Sequence, residues 1–399
     1  MTLSNGRQYL AIPGPSVMPD RVLRAMHRAA PNIYHGELVE LVPELVAGLK
    51  TVARTSHQAA IYICNGHGSW EAALANVLSR GDRVLVLATG SFAYGWGEVA
   101  EGLGGVVEVM DFGRTGGIDT ARVSERLVAD KAHEIKAVLA VHVDTGSSLR
   151  SDIAAVRVAI DEAGHPALLM VDCIASLACE RFEMDTWGVD VMVTGSQKGL
   201  MTPPGIAFVF YNDRADAVRE SAGCASRYWD WRTRTEPDLF YHYFYGTPPT
   251  QHLYGLKEAL AMIAEEGLEA VWRRHEILAQ AVWAAFEHWG GNGPLRLNIS
   301  DPSLRAHSVT AVVAGSEKGT ALRRWCEERA GLTLGIGLGA AAFGAPELDH
   351  HFRVGHMGHL SAQMILGALG TIEAGLTAVG IGHRPGGVVA AADVIAAAA

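Results

Sequence analysis

Lys198 is the residue whose surroundings most invite chemistry. It lies in Thr194-Gly-Ser-Gln-Lys198-Gly-Leu-Met-Thr-Pro-Pro-Gly205, after an apolar strand-like run and before two prolines and a glycine. Its backbone is therefore held in a constrained turn at the C-terminal edge of a sheet, where α/β proteins place ligands. A lysine near its ordinary pKa of ~10.4 is a cation at neutral pH, but one that is desolvated or close to another cation loses its proton and becomes an amine nucleophile. Schiff-base chemistry needs such an amine. Taken alone, a lysine in a loop is an ordinary solvated side chain, so its neighbours decide the reading.

Asp172 is the first of them, ending an apolar run at 168–171 one crossover unit before Lys198, so that both can reach one crevice above the sheet. A carboxylate that ends a buried strand is costly unless a cation or a donor meets it. A protonated pyridine nitrogen would be such a partner, and the pairing would make the ring a better electron sink. By pattern alone Asp172 is equally the N-cap of Asp-Cys-Ile-Ala-Ser. Upstream, Asn65-Gly66-His67-Gly68-Ser69 opens a helix after another strand-like run, and small residues there let backbone N–H groups face a phosphate. Such turns are also ordinary connections; the position ahead of the Asp and Lys segments favours the phosphate. His350, His351, His356 and His359 lie close in sequence, but Gly355 and Gly358 argue for a turn, and no metal site is expected.

The elements that must position these residues follow from hydrophobic period. From about residue 61 to 210, β-branched runs at 83–88, 106–110, 137–141, 168–171, 189–193 and 206–210 alternate with amphipathic stretches, which predicts crossover units and a mainly parallel sheet. Such strands are apolar on both faces because helices cover both. Trp70, Ala73, Leu74, Val77 and Leu78 fall on one helical face, predicting a helix over 69–78 with Ser69 as N-cap and Glu71 in its first turn. Residues 222–250, crowded with Tyr, Trp, Arg and Pro, read as a long ordered surface segment suited to an interface. A helical stretch over 251–288 is long enough to bridge two domains. Beyond Gly290, strands near 308–313 and 352–354 and a helix over 361–379 predict a smaller α+β domain, and the Ala-rich end, 387–399, a helical tail.

Composition sets the class. At about 150 residues per domain, 399 residues correspond to two or three domains. A net charge of −10, with 49% hydrophobic and 19% charged residues, argues against disorder. No block of five or six Lys/Arg is present, so nucleic acid is not expected as the main partner, whereas an anionic small molecule needs only one buried Arg. No apolar run reaches the ~18 residues of a membrane span, and residues 1–8 lack the pattern of a secretory signal. Five scattered cysteines without a C-x-x-C pair predict a reduced, cytoplasmic setting, with neither a disulfide framework nor a zinc knuckle.

Taken together the segments resemble the class V branch of fold-type I pyridoxal-phosphate aminotransferases, particularly the serine–glyoxylate and alanine–glyoxylate enzymes. The similarity runs from Ile12-Pro-Gly-Pro15 to about Gly380. It is carried by Gly68-Ser-Trp-Glu-Ala-Ala-Leu74, His165-Pro-Ala-Leu-Leu-Met-Val-Asp172, Met184-Asp-Thr-Trp-Gly-Val-Asp190, Thr194-Gly-Ser-Gln-Lys198, Tyr254-Gly-Leu256 and Arg353-Val-Gly-His-Met-Gly358. The resemblance implies an α/β fold, the PLP-dependent transferase fold type I, with a large domain built on a mainly parallel seven-stranded sheet and a smaller C-terminal α+β domain. The implied divisions are an N-terminal arm over 1–20, the large cofactor domain over 21–285 and the small domain over 286–399.

The resemblance also implies pyridoxal 5'-phosphate as cofactor. Lys198 would bind it covalently and later move a proton between substrate Cα and cofactor C4′, and Asp172 would pair with the pyridine nitrogen. Asn65, Gly66, His67 and Gln197 would meet the phosphate. Phe92 would lie on the ring and Thr145 beside it, although by pattern alone they are a core aromatic and a turn residue. Arg353, whose planar fork suits a carboxylate, would hold the substrate; a lone Arg more commonly forms a surface ion pair. Tyr34 would line the substrate pocket and Thr247 would reach the phosphate of the other subunit, which implies a homodimer with shared sites.

The activity implied is transfer of an amino group from a small L-amino acid, serine or alanine, to a 2-oxo acid, glyoxylate or pyruvate. Departures from the family pattern leave other substrates open: His35 stands where relatives often carry Arg, His142-Val-Asp-Thr-Gly replaces His-Asn-Glu-Thr, and His67 and Cys173 occupy positions that vary with substrate. A pyridoxamine–pyruvate type enzyme using free pyridoxamine is the alternative, as is another donor such as aspartate. A lyase or desulfurase would keep the fold, but no cysteine lies in a Gly/Ser-rich loop opposite the lysine. A catalytically silent binding protein would not need Lys198, Asp172 and Arg353 together.

Overall fold

Alternate residues of one strand show why the large sheet forms: Val84, Val86 and Ala88 enter the core on one face, and Leu85 and Leu87 the core on the other. Both faces must therefore be covered by helices. The computed structural model describes residues 2–291, 293–341 and 344–398. Strand β1 (Tyr9–Ala11) belongs to a second sheet, and β2 (Gln58–Tyr62), β3 (Arg83–Ala88), β4 (Val106–Asp111) and β5 (Ile135–Val141) to the large one. A short hairpin, β6 (Val143–Asp144) and β7 (Leu149–Arg150), follows, before β8 (Leu168–Asp172), β9 (Val191–Gly195) and β10 (Ala207–Tyr211) complete the large sheet. Its order is β2-β10-β9-β8-β5-β3-β4, and only β10 runs against its neighbours. This is the mainly parallel seven-stranded sheet that the family resemblance implies.

Helices α1 (Asp20–Met26) and α2 (Glu37–Ala53) precede the sheet, and α3 (Gly66–Ala75), α4 (Ser91–Gly102), α5 (Thr120–Ala129) and α6 (Ile153–Glu162) connect its strands. Two short helices, α7 (Asp213–Arg219) and α8 (Trp231–Thr235), follow it. One core packs α2, α5 and α6 on the sheet; the other packs α3, α4 and Trp231 on the opposite face. The expected helix over 69–78 is shifted: it begins at Gly66 and ends at Ala75. Asn65, not Ser69, is its N-cap, accepting from the Gly68 N–H at 3.2 Å, while buried Ser69 donates to the Gly66 carbonyl inside the helix. An Asx side chain outcompetes Ser here because the chain turns one residue before the first glycine.

The stretch expected as one helix over 251–288 is two, α9 (Thr250–Glu266) and α10 (Leu268–Gly290). Gly267 divides them at φ +86°, a conformation that strains any residue with a Cβ. After α10 come β11 (Arg296–Leu297), β12 (Val309–Val313), α11 (Gly319–Ala330), β13 (Leu332–Ile336), β14 (His351–Gly355), α12 (Ala362–Val379) and α13 (Gly387–Ala398). The second sheet runs β1-β13-β14-β12-β11, so part of the N-terminal segment 1–20 is an edge strand of the C-terminal unit, parallel to β13. Helix α12 is long and apolar enough to cross a membrane, but Ile365, Leu369, Ile372 and Leu376 pack into the small-domain core. Met1 of the N-terminal segment and Ala399 of the helical tail lie outside the described residues.

The aperiodic segment 222–250 is ordered by one buried cation. Arg234, 1% exposed, donates to the carbonyls of Tyr228 (2.7 and 3.3 Å), Ile61 (3.0 Å) and Tyr243 (3.1 Å), with its guanidinium over the rings of Tyr62 and Tyr228. It ties the segment to β2 without a carboxylate partner. Arg234→Met would orphan these carbonyls, and a loss of roughly 3 kcal/mol is expected from charge-assisted hydrogen bonds of this kind. A urea unfolding midpoint unchanged from wild type would refute this role.

Candidate active site

Three loops at the C-terminal ends of β2, β8 and β9 converge with the α4 N-terminus and the β6–β7 hairpin. Asn65, Gly66, His67, Trp70, Phe92, Val143, Thr145, Asp172, Gln197 and Lys198 line one cavity of about 150 Å³. That is below the ~300–1,000 Å³ of drug-sized sites and suits a small cofactor better than a dinucleotide. A larger groove, between Arg7–Tyr9 and α12, brings together none of these residues.

The turn after β9 holds Lys198 by its backbone. Ser16 donates from its N–H to the Gln197 carbonyl (2.8 Å) and from its hydroxyl to the Lys198 carbonyl (2.7 Å), while Ser196 Oγ bonds to the Pro203 carbonyl (2.7 Å). The amine itself donates to the Pro13 carbonyl, and a Cβ at Gly14 would collide with the lysine side chain. Burial, with the nearby Arg353 charge, lowers the Lys198 pKa to about 8, against a smaller upward pull from Asp172. A large fraction of free amine at mildly basic pH follows, as a nucleophile and base requires.

Asp172 closes β8 at 3% exposure. Trp70 Nε1 donates to one carboxylate oxygen at 2.9 Å and the Ile174 N–H to the other at 2.7 Å. Desolvation nonetheless raises its pKa to about 7, because these two donors do not replace a cation. The residue is thus a buried carboxylate in want of a positive partner. Gln197 Oε1 is likewise buried without a hydrogen-bond partner. Beside it, Gly66 and Gly68 open α3 where a Cβ would meet Ile174 and Cys64; the Gly68 N–H is taken by Asn65 Oδ1, so the N–H groups this helix end can offer an anion are those of Gly66 and His67. A cation-hungry carboxylate, a glycine cradle and a desolvated amine are fittings that pyridoxal phosphate needs. The residues present fit it.

Arg353, on β14, is 6% exposed and donates from Nε to the Ile336 carbonyl (2.7 Å) and from Nη1 to the Thr145 carbonyl (2.9 Å). Burial lowers its pKa to about 10, so it remains a cation at neutral pH. Tyr34 and Thr247 behave otherwise. Tyr34 is 84% exposed, Thr247 is exposed as well, and neither lines the cavity of its own chain. Tyr34, expected to line the substrate pocket, therefore does not line it within one subunit.

Sequence reasoning missed two groups. Trp70 was legible only as an apolar helix position, though a buried indole N–H must find an acceptor, and that requirement was the available signal. Asp144 was visible only as a departure from a motif. It is fully buried and accepts from the N–H groups of Phe92 (2.9 Å), Gly146 (2.8 Å) and Ser147 (3.2 Å). The cysteines offer no thiolate: burial pushes Cys64, Cys179 and Cys326 up to about 12, and Cys173 and Cys224 are also raised. His356 is enclosed between Thr310 (2.8 Å) and the His307 carbonyl (2.9 Å), which uses both ring nitrogens.

Comparison with known proteins agrees with this geometry. Residues 9–357 match the family model Aminotransferase class-V. A serine–glyoxylate aminotransferase of Methylorubrum extorquens is 38% identical, covering 97% of this chain and 96% of its own. An L-aspartate–glyoxylate aminotransferase of Paracoccus denitrificans is 37% identical over 96% of this chain and 94% of its own. Among solved structures, ureidoglycine–glyoxylate aminotransferase from Bacillus subtilis superposes with a TM-score of 0.88 at 26% identity, covering 98% of this chain and 99% of that one.

Proposed function

Since the chain belongs to the class-V aminotransferase family and is a pyridoxal-phosphate-dependent aminotransferase, we propose that it moves the amino group of a small L-amino acid, serine or alanine, to glyoxylate. The three relatives differ in donor and share the acceptor, which supports glyoxylate as acceptor. The observation that carries the donor class is the charge inventory: buried Arg353 donates to the carbonyl of the lining residue Thr145, and among the described residues no arginine lines the cavity itself. A donor with one carboxylate finds its partner there; aspartate would bring a second without one. Free pyridoxamine as substrate is not favoured.

When bound, pyridoxal phosphate supplies an electron sink for the pair left at substrate Cα. The chain's own groups do the rest. Asp172 offers the ionised carboxylate that keeps a protonated ring nitrogen in place, and Trp70 and Ile174 orient it. Asn65, Gly66, His67 and Gln197 would hold the phosphate, and Phe92 and Thr145, which line the same cavity, would meet the ring. Arg353 fixes the substrate carboxylate by a bidentate contact and so selects which Cα bond faces Lys198. Lys198 Nζ would accept the proton from substrate Cα and hold it as an ammonium until it is handed back, a task that its pKa, lowered to about 8, suits.

Exposed Tyr34 and Thr247 support a homodimer in which each subunit completes the other's site, and the reduced, scattered cysteines support a cytoplasmic setting. The domain division at 20 and 285 is our reading from the family resemblance; the C-terminal core also takes in Ala11 from the N-terminal segment and Leu278, Ala281, Val282 and Ala285 from α10. The deciding experiment loads the protein with pyridoxal phosphate, adds L-serine without acceptor and follows the visible band. Conversion to the pyridoxamine form, reversed by glyoxylate, is expected. A cofactor band that responds to aspartate but not to serine or alanine would overturn the donor assignment.

A further inference from the structure

The β6–β7 hairpin leaves the large sheet at β5, yet the C-terminal unit grips it from several sides. Asn298 Nδ2 donates to the Ser147 carbonyl (2.9 Å), the Ala306 N–H donates to the Ser148 carbonyl (3.1 Å), and Leu149 bridges to Arg305. Arg353 Nη1 holds the Thr145 carbonyl at 2.9 Å. Space around the turn is kept by glycines: a Cβ at Gly90 would collide with the Asp144 carboxylate, one at Gly146 would lie 3.0 Å from Ser91 Oγ, and one at Gly339 would lie 2.6 Å from that same hydroxyl. The turn is thus a tight joint between the α4 N-terminus, in the large domain, and the loop after β13, in the small one.

Asp144 is the centre of this joint. Its Oδ2 accepts from Phe92 N–H, at the start of α4, and its Oδ1 from Gly146 and Ser147 N–H, which shape the turn presenting the Thr145 carbonyl. We propose that Asp144 is a positioning residue that ties the ring-covering Phe92 to the carboxylate-binding Arg353, so that one buried carboxylate sets both halves of the substrate–cofactor site. Resting on the aminotransferase reading above, it adds a residue that touches neither ligand. An Asn side chain has one acceptor oxygen and one donor amide, so in either orientation it leaves Phe92 N–H or the Gly146 and Ser147 N–H groups facing a donor. Loss of either set loosens the turn on which the other depends.

The test measures binding rather than turnover. Affinity of the cofactor-free protein for pyridoxal phosphate is read by tryptophan quenching, and affinity of the holoenzyme for acetate, a non-reacting monocarboxylate, by the shift of its visible band. Asp144→Asn is expected to weaken both by about tenfold, the effect of an orphaned buried N–H. Phe92→Ala should weaken the cofactor alone, and Arg353→Met acetate alone. Asp144→Asn that alters only one affinity, or lowers the thermal midpoint with both affinities kept, overturns the proposal. Should that variant fail to fold, wild-type holoenzyme still decides: saturating acetate should slow amide exchange over 88–94 as well as 143–149, and slowing confined to 143–149 overturns it. A wild-type chain that binds no pyridoxal phosphate would instead overturn the functional reading on which this one stands.

Discussion

Lys198→Ala is expected to abolish transamination, lowering kcat by ~10⁴-fold, the upper range for removal of a positioned general acid–base group. Among the described residues Lys198 is the one lysine that lines the cavity, and its turn is fastened by Ser16 and Ser196. Turnover within tenfold of wild type would sink the assignment. A second readout needs no activity. Because burial lowers the folded-state pKa to about 8, the cofactor-free protein carries a desolvated ammonium at pH 7 that unfolding returns to water. Between pH 8 and the ordinary lysine value of ~10.4 the unfolded chain binds the extra proton, so this cost fades as pH rises. Lys198→Met should therefore raise the thermal midpoint of the cofactor-free protein at pH 7, with the gain vanishing above about pH 10. A gain that grows with pH would contradict the sign.

Asp172→Asn is expected to cost ~10²–10³-fold in kcat, the scale of losing one preorganised electrostatic contact, and to weaken cofactor retention. Here the pKa shift runs the other way. Desolvation raises the folded-state value to about 7, so the native chain holds a proton that the unfolded chain has released above its ordinary value of ~3.9. The resulting stability is fully present below about pH 4 and is lost as pH rises through 7. At pH 8 the cofactor-free wild type contains an uncompensated buried carboxylate, and Asp172→Asn should unfold at a higher temperature there. Added pyridoxal phosphate should reverse the order, since a cation facing the carboxylate restores its ionised form. Equal stabilisation of both proteins by the cofactor at pH 8 would refute the pairing.

In both residues a stability deficit accompanies the chemistry: at neutral pH and above the cavity holds a desolvated ammonium that loses its proton easily and a carboxylate without a full counter-charge until ligands arrive. The deficit is local. Asp144 shows the opposite arrangement, a buried carboxylate given three N–H donors and no ligand task of its own.

What the sequence determined by itself is local or periodic in origin. The two-sided apolarity of 83–88 or 168–171 specifies a covered parallel strand wherever its neighbours lie, and motif order placed Asp172 and Lys198 at the ends of adjacent strands β8 and β9. Helix limits were less legible, because Asn65 and Ser69 are both good caps and the choice depends on where the turn after β2 ends. Only the tertiary structure decided which distant groups meet. Trp70 reaches Asp172 across 102 residues, Phe92 reaches Asp144 across 52 and Lys198 reaches Pro13 across 185. It also placed Tyr34 and Thr247 outside their own chain's cavity. The reason is physical: hydrophobic period records which face of an element is buried, whereas a hydrogen bond between separate elements depends on their mutual placement to within a few tenths of an ångström, which no spacing along the chain encodes.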